Sequence, residues 1–221
     1  MLTLHRAEFL LPDPAAPTAP SFADGAVVVR GELVEAVGPY ADLAADHPSA
    51  RVRDWGRALL APGLRNPCGQ RLLERDYHPD PREEIGVEPV MDGLVGCTDE
   101  ARYGASARRG LQRMLGFGVT AVAGPFARPA VRTAVARSGL VALPGPGVSG
   151  AGELGEGAGL LDPLAVLPLA RAVHGRVAAG GRADFVVFPV AAEEAQEGGV
   201  RPAAGGCLAT VLAGRLVYRR R

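Results

Sequence analysis

The sequence contains no lysine: all 24 of its basic side chains are arginine, matched by 24 aspartates and glutamates for a formal net charge of +0. A missing lysine excludes a Schiff-base nucleophile, a phosphate-cradling lysine and a carbamylated lysine from this chain. A missing cationic surplus argues against nucleic acid as a partner. Cysteine is scarce, with Cys68, Cys97 and Cys207 forming no close pair, which suits a reducing, cytoplasmic setting better than a disulfide framework. Histidine is scarcer than a histidine-rich metal site requires, with only His5, His47, His78 and His174. No run of eighteen apolar residues occurs, and Met1 to Arg6 do not lead a basic segment into an apolar stretch, so neither a membrane span nor a secretory leader is expected.

What is present is a 221-residue chain, 48% hydrophobic, with Gly 30 and Pro 19 spread between apolar runs. That composition predicts a folded, loop-rich protein. Apolar runs alternate with turn residues over Glu8–Leu11, Ala26–Val29 and Leu33–Val37, with Arg30-Gly31-Glu32 as a hairpin turn. A short helical piece at Ala41–Ala45 and an extended run at Arg51–Gly56 follow. The period then changes. Tyr103, Ala107, Leu111, Met114 and Leu115 recur at helical spacing, with Arg102, Ser106, Arg109 and Arg113 on the opposite face. Val119–Ala123 reads as a buried strand, Pro129 opens a second helix that Gly139 closes, and Leu140–Leu143 is another strand, a parallel α/β unit. Residues 144–159 read as a Gly-rich loop, and Asp162 caps a helix from Pro163 that Pro168 kinks. Strands are expected again at Arg176–Ala178, Asp184–Val190, Ala209–Ala213 and Leu216–Tyr218. Isolated hairpins are marginal in water, so the two chain ends are expected to share one sheet system.

Four ordered segments carry a family resemblance: Gly25–Gly38 (GAVVVRGELVEAVG), Asp54–Leu64 (DWGRALLAPGL), Gly118–Val122 (GVTAV) and Arg182–Phe188 (RADFVVF), with Ala213–Val217 after them. Together they resemble metal-dependent amidohydrolases of the imidazolonepropionase and aminodeoxyfutalosine deaminase kind. That resemblance implies a mixed α/β fold: a composite β-sandwich from both chain ends, residues 1–57 and 176–221, and a (β/α) barrel segment in residues 58–175. It also implies hydrolysis of non-peptide carbon–nitrogen bonds by metal-activated water. Two departures fall on the chemistry. The His-x-His metal pair expected after Pro62-Gly63-Leu64 is replaced by Cys68-Gly69-Gln70, and a glutamine amide neither neutralises nor binds zinc as imidazole does. The 58–175 segment also falls short of the roughly 200 residues a closed eight-fold barrel needs, leaving a truncated remnant of about three strands, with the Gly-rich loop at 144–159 as the scar.

Other site signals compete with simpler readings. Gly145 to Gly150 matches GxGxxG, but the glycines that follow spoil the helix a dinucleotide loop needs, so it reads as a linker. Ser149, Asp162 and His174 stand in a hydrolase-triad order without the strained elbow around the serine. His174 instead reads as a partner of its own helix end. Asn66, Cys68, Gln70, His78 and Cys97 are cleft candidates around the first barrel strand, at spacings that match no zinc pattern. The charged run Glu74–Glu84 reads as a solvated connection. Arg108, Arg109, Arg128 and Arg132 are anion-binding candidates, Arg128 foremost because it precedes a Pro-opened helix.

The resulting expectation is an amidohydrolase-like protein that has lost metal-dependent catalysis, with no catalytic residue, metal or cofactor of its own, acting as a binding or assembly subunit. Two alternatives stay open: a hydrolase whose zinc or iron site a partner chain completes, and a small-molecule binding module. Open sheet edges predict a homodimer or a hetero-complex.

Overall fold

The computed structural model describes residues 2–145, 158–190 and 202–220. Its larger part is one eight-stranded mixed sheet. β1 (Leu2–Leu10) pairs antiparallel with β2 (Phe22–Arg30), which pairs antiparallel with β3 (Leu33–Pro39). Gly31, at φ +61, makes the tight turn between β2 and β3. After α1 (Tyr40–Asp46), β4 (Arg51–Asp54) and β5 (Ala58–Pro62) both run parallel to β1, one beside its first half and the other beside its end. β9 (Phe185–Pro189) returns antiparallel to β5, and β10 (Ala209–Leu212) and β11 (Arg215–Arg219) complete the order β11-β10-β9-β5-β1-β2-β3. Both chain ends therefore do share one sheet. The boundary expected at residues 57 and 58 separates two neighbours of β1, because Ala58–Pro62 joins the large sheet.

The sheet curls on itself. Val27, Val29 and Val34 from one end of the strand order share a buried cluster with Phe185, Val187 and Val211 from the other, the enclosed core of a sandwich-like body. Backbone bonds between Val34 and both Gly180 and Gly181 hold the curl shut. On the outer face, α1 covers Ala26 and Val28 through Leu43.

The smaller part is a parallel sheet of β6 (Leu64–Asn66), β7 (Val119–Ala123) and β8 (Val141–Leu143), in that order. It meets the expectation of about three strands. Its helices are α2 (Gly69–Glu74), α3 (Glu100–Leu115) and α4 (Pro129–Ser138). Asp99 caps α3 through Ala101 N at 2.8 Å. One hydrophobic cluster joins Leu111, Met114 and Val135 of these helices to Leu59, Val186, Phe188 and Leu212 on the outer face of the large sheet, so the two sheets share a core.

Four expectations need correction. Arg176–Ala178 is no strand: Val177 N donates to the Pro12 carbonyl and the Ala178 carbonyl accepts from Gly181 N in a turn, with no ladder. Pro168 breaks the helix after Asp162 rather than kinking it, giving a 3₁₀ turn at Pro163–Ala165 and then α5 (Leu169–Ala172). The run Glu74–Glu84 is not simply solvated, since Asp76, Tyr77 and His78 are buried under α3. There Ser106, expected on the solvent face, is buried and accepts from His78 N at 2.9 Å. Gly110 leaves room for the imidazole: a Cβ there would lie 2.5 Å from His78 Nε2. No helix among the described residues is long and apolar enough to cross a membrane.

Candidate functional site

Parallel α/β sheets present functional groups where their strands end. In this chain β6 ends on Asn66, and Cys68 and Gln70 come after it, at the metal-pair positions named by the resemblance. Asn66 is fully buried and committed to the chain itself. Its Nδ2 donates to the Leu160 carbonyl at 2.8 Å and the Leu161 carbonyl at 3.4 Å, while Oδ1 accepts from Cys68 N at 2.9 Å. One amide thus ties the end of β6 to the 3₁₀ turn at Ala158–Leu161 and to the start of α2.

Cys68 stands just before α2, half-buried against the core, and burial pushes its thiol up against the opposing pull of Arg71. The thiolate a metal needs is disfavoured there. Gln70 is exposed on the first turn of α2. His78 is buried behind α2, its Nε2 bonded to the Leu72 carbonyl at 2.8 Å, and burial lowers its pKa to about 4. Cys97 packs against the core with its Sγ 3.9 Å from the Asp99 carbonyl. Among the described residues, no three His, Cys, Asp or Glu side chains converge on a point where an ion could sit. The donors at the family's metal positions therefore do not fit a zinc or iron ion.

The structure does bring Arg128 and Cys97 together, through Arg128 Nη2 and the Cys97 carbonyl at 3.4 Å. It also shows what fills the expected anion site at the start of α4. Glu74 Oε1 accepts from Arg128 N at 2.7 Å, and Glu100 accepts from Ala130 N at 3.1 Å and from Arg128 Nη1 at 3.3 Å. The Arg128 guanidinium lies over the Tyr103 ring, 4.5 Å from its centroid. Two of the chain's own carboxylates satisfy this helix end, a role for Glu74 and Glu100 that no sequence spacing signalled. Arg109 donates to the His78 carbonyl at 2.8 Å, and Arg132 donates to the Phe126 and Ala127 carbonyls, so both act in the fold.

Asp162 Oδ1 accepts from Leu164 N and Oδ2 from Gly205 N, a structural pairing. His174 lies past α5 with its backbone N bonded to the Gly63 carbonyl. Burial and the nearby Arg65 lower its pKa. Ser149 and most of the GxGxxG segment lie outside the described residues.

Comparison with known proteins follows the same outline. Residues 25–50, spanning most of β2, all of β3 and α1, match the family described as imidazolonepropionase-like composite domain, bacteria. No curated protein matches the sequence. Among solved structures, ochratoxinase of A. niger is 23% identical with a TM-score of 0.44, over 64% of this chain and 30% of its own. Guanine deaminase from Bradyrhizobium japonicum is 17% identical with a TM-score of 0.46, over 64% of this chain and 34% of its own. Helicobacter pylori aminofutalosine deaminase is 16% identical with a TM-score of 0.43, over 64% of this chain and 32% of its own. The chain spans about a third of the length of these proteins. The chain is thus a mixed α/β protein whose residues 25–50 are similar to the imidazolonepropionase-like composite domain of bacteria.

Proposed function

We propose that this chain is an amidohydrolase-like protein without a self-contained metal centre, serving as a binding or assembly subunit. The observation that supports it most is the state of the strand end after β6. The two metal positions hold a half-buried thiol and an exposed amide, and the neighbouring Asn66 spends its whole side chain on the protein's own backbone. A retained framework with its chemistry replaced is a basis for binding, not turnover.

Assembly with another chain, a second copy or a different partner, belongs to the same reading. Among the described residues β8 pairs only with β7, leaving one edge of a parallel sheet open, whereas such sheets are ordinarily enclosed. Ile85, Val87 and Val95 are more than half exposed within a single stretch of chain, a concentration that isolated monomers usually avoid.

Metal analysis of the purified protein, before and after dialysis against zinc or iron, tests the first part. No stoichiometric metal is expected, and one equivalent retained by the chain alone would defeat it. Light scattering at micromolar concentration, with and without cell extract fractionation for a partner, tests the second; a clean monomer that co-purifies with nothing would count against assembly.

A further inference from the structure

A second site lies away from the strand ends, on the outer surface of the two long helices. Arg108, Leu111, Gln112 and Leu115 form one stripe of α3, and Ala134, Arg137 and Ser138 form one stripe of α4. Between them runs a groove of about 310 Å³. Its floor is apolar, since Leu111, Leu115 and Ala134 belong to the buried core. Its rim is cationic, and no aspartate or glutamate lines it.

The starts of the two helices are pinned together by Glu100, in the first turn of α3, accepting from Ala130 N in the first turn of α4. Both helices follow parallel strands of one sheet and run side by side, so positions equally far along them come level. Arg108 and Arg137 are each roughly two turns beyond that pin, which sets them at about the same height on either side of the groove. Neither side chain makes a hydrogen bond or ion pair among the described residues, in contrast to Arg109, Arg113, Arg128 and Arg132 on the same two helices or beside them. Two guanidiniums lining one groove without a carboxylate repel one another, and an anion held in the groove relieves that repulsion. Four N–H edges from two planar forks suit a tetrahedral dianion, and the Leu111–Leu115–Ala134 floor suits an apolar group attached to it.

We propose that this groove binds a phosphate monoester carrying an apolar or aromatic group, with Arg108 and Arg137 holding the phosphate. The site is independent of the strand-end reading and of any metal. Arg137 stands in the last turn of α4, where a cation also suits the carbonyl end of the helix, so Arg108, at mid-helix, is the more telling of the two.

Phenyl phosphate, titrated at low salt and followed by calorimetry, is the direct probe, with inorganic phosphate and benzoate beside it. Saturable binding with Kd about 1 mM or tighter is expected for phenyl phosphate, and weaker binding for inorganic phosphate, which cannot use the floor. R108Q should weaken binding about tenfold and R137Q similarly, while R51Q, the same charge change on the distant β4, should leave it intact. These variants alter exposed side chains, so their melting curves should overlay that of the parent. Lack of saturation by about 20 mM would overturn the proposal, as would equal weakening by R51Q, which marks general screening. Benzoate binding as tightly as phenyl phosphate would overturn the phosphate class, and inorganic phosphate binding as tightly would overturn the role of the apolar floor.

Discussion

Replacing Asn66 by aspartate changes one atom's chemistry at the point on which the strand-end reading depends. Oδ1 can still accept from Cys68 N, but the second oxygen now faces the Leu160 carbonyl at the 2.8 Å separation formerly bridged by an N–H. With Asn66 fully buried, an ionised carboxylate there loses hydration and meets a lone pair. A carboxyl so placed is held protonated, so that its O–H can donate to Leu160. Full burial raises a carboxyl pKa by up to about 3–5 units, and each unit corresponds to about 1.4 kcal/mol. N66D is therefore expected to lose about 4–7 kcal/mol when ionised, against a total stability of about 5–15 kcal/mol for a typical domain. The sign follows from proton counts. Between the unfolded and folded pKa values the folded state binds more protons, so the stability of N66D relative to the parent falls as pH rises from about 4 and levels off above the folded value. Denaturant melts of both proteins from about pH 4.5 to pH 8 measure this difference directly. N66A, which leaves Leu160 O and Cys68 N unpartnered at every pH, should be less stable by about 2–5 kcal/mol with no such slope. If N66D matched the parent at pH 8, or differed by an amount independent of pH, Asn66 would not be the closed, self-satisfied group described above.

Three further expectations concern the core. G110A adds a methyl 2.5 Å from His78 Nε2 in the middle of α3. Helix propensity favours alanine by about 1 kcal/mol, but overpacking and a weakened His78–Leu72 bond together cost more, so a net loss of about 1–3 kcal/mol and a Tm lower by about 2–12 °C are expected; an equal or higher Tm would refute the packing argument. Burial, with Arg53 nearby, lowers His5 from 6.5 to about 3, and burial lowers His78 from 6.5 to about 4. The folded state then binds fewer protons than the unfolded chain below about 6.5, so stability should fall as pH drops from there toward 4. Proton NMR of the folded protein should find both imidazoles neutral at about pH 5.5, and a midpoint near 6.5 for either would contradict its burial. Burial also pushes the Cys207 thiol up to about 11, with its Sγ 3.3 Å from Thr210 Oγ1. A disulfide reagent at about pH 8 should therefore label Cys97 first, Cys68 more slowly and Cys207 only after unfolding; prompt labelling of Cys207 in the native protein would refute its enclosure.

Local pattern was enough to locate α3, β7 and α4, because a period of 3.6, a short apolar run, Pro129 at a helix start and Gly139 at its end are all written in neighbouring residues. The metal-position substitutions at Cys68 and Gln70 were equally plain, being matters of residue identity at a fixed distance from Pro62-Gly63-Leu64. Ser106 and His78 were misplaced for the opposite reason. Each is polar and sits in a polar run, and only the close approach that Gly110 permits buries both, with Ser106 Oγ accepting from His78 N. The acceptance of Arg128 N by Glu74 and of Ala130 N by Glu100 likewise joins residues 54 and 30 positions apart.

The sequence by itself determined which side-chain types this chain lacks or has few of, lysine, histidine and cysteine, and the segments that form helices and strands, because residue identity and short-range periodicity act locally. Tertiary structure alone decided which polar groups are spent on the fold and which remain available. Asn66, Arg109 and Arg128 are consumed by backbone and carboxylate partners from distant segments, while Arg108 and Arg137 line one groove that has no carboxylate among its lining residues. Satisfaction of a donor depends on where its acceptor lies in space, and that is fixed only when the two sheets and their helices close on a common core.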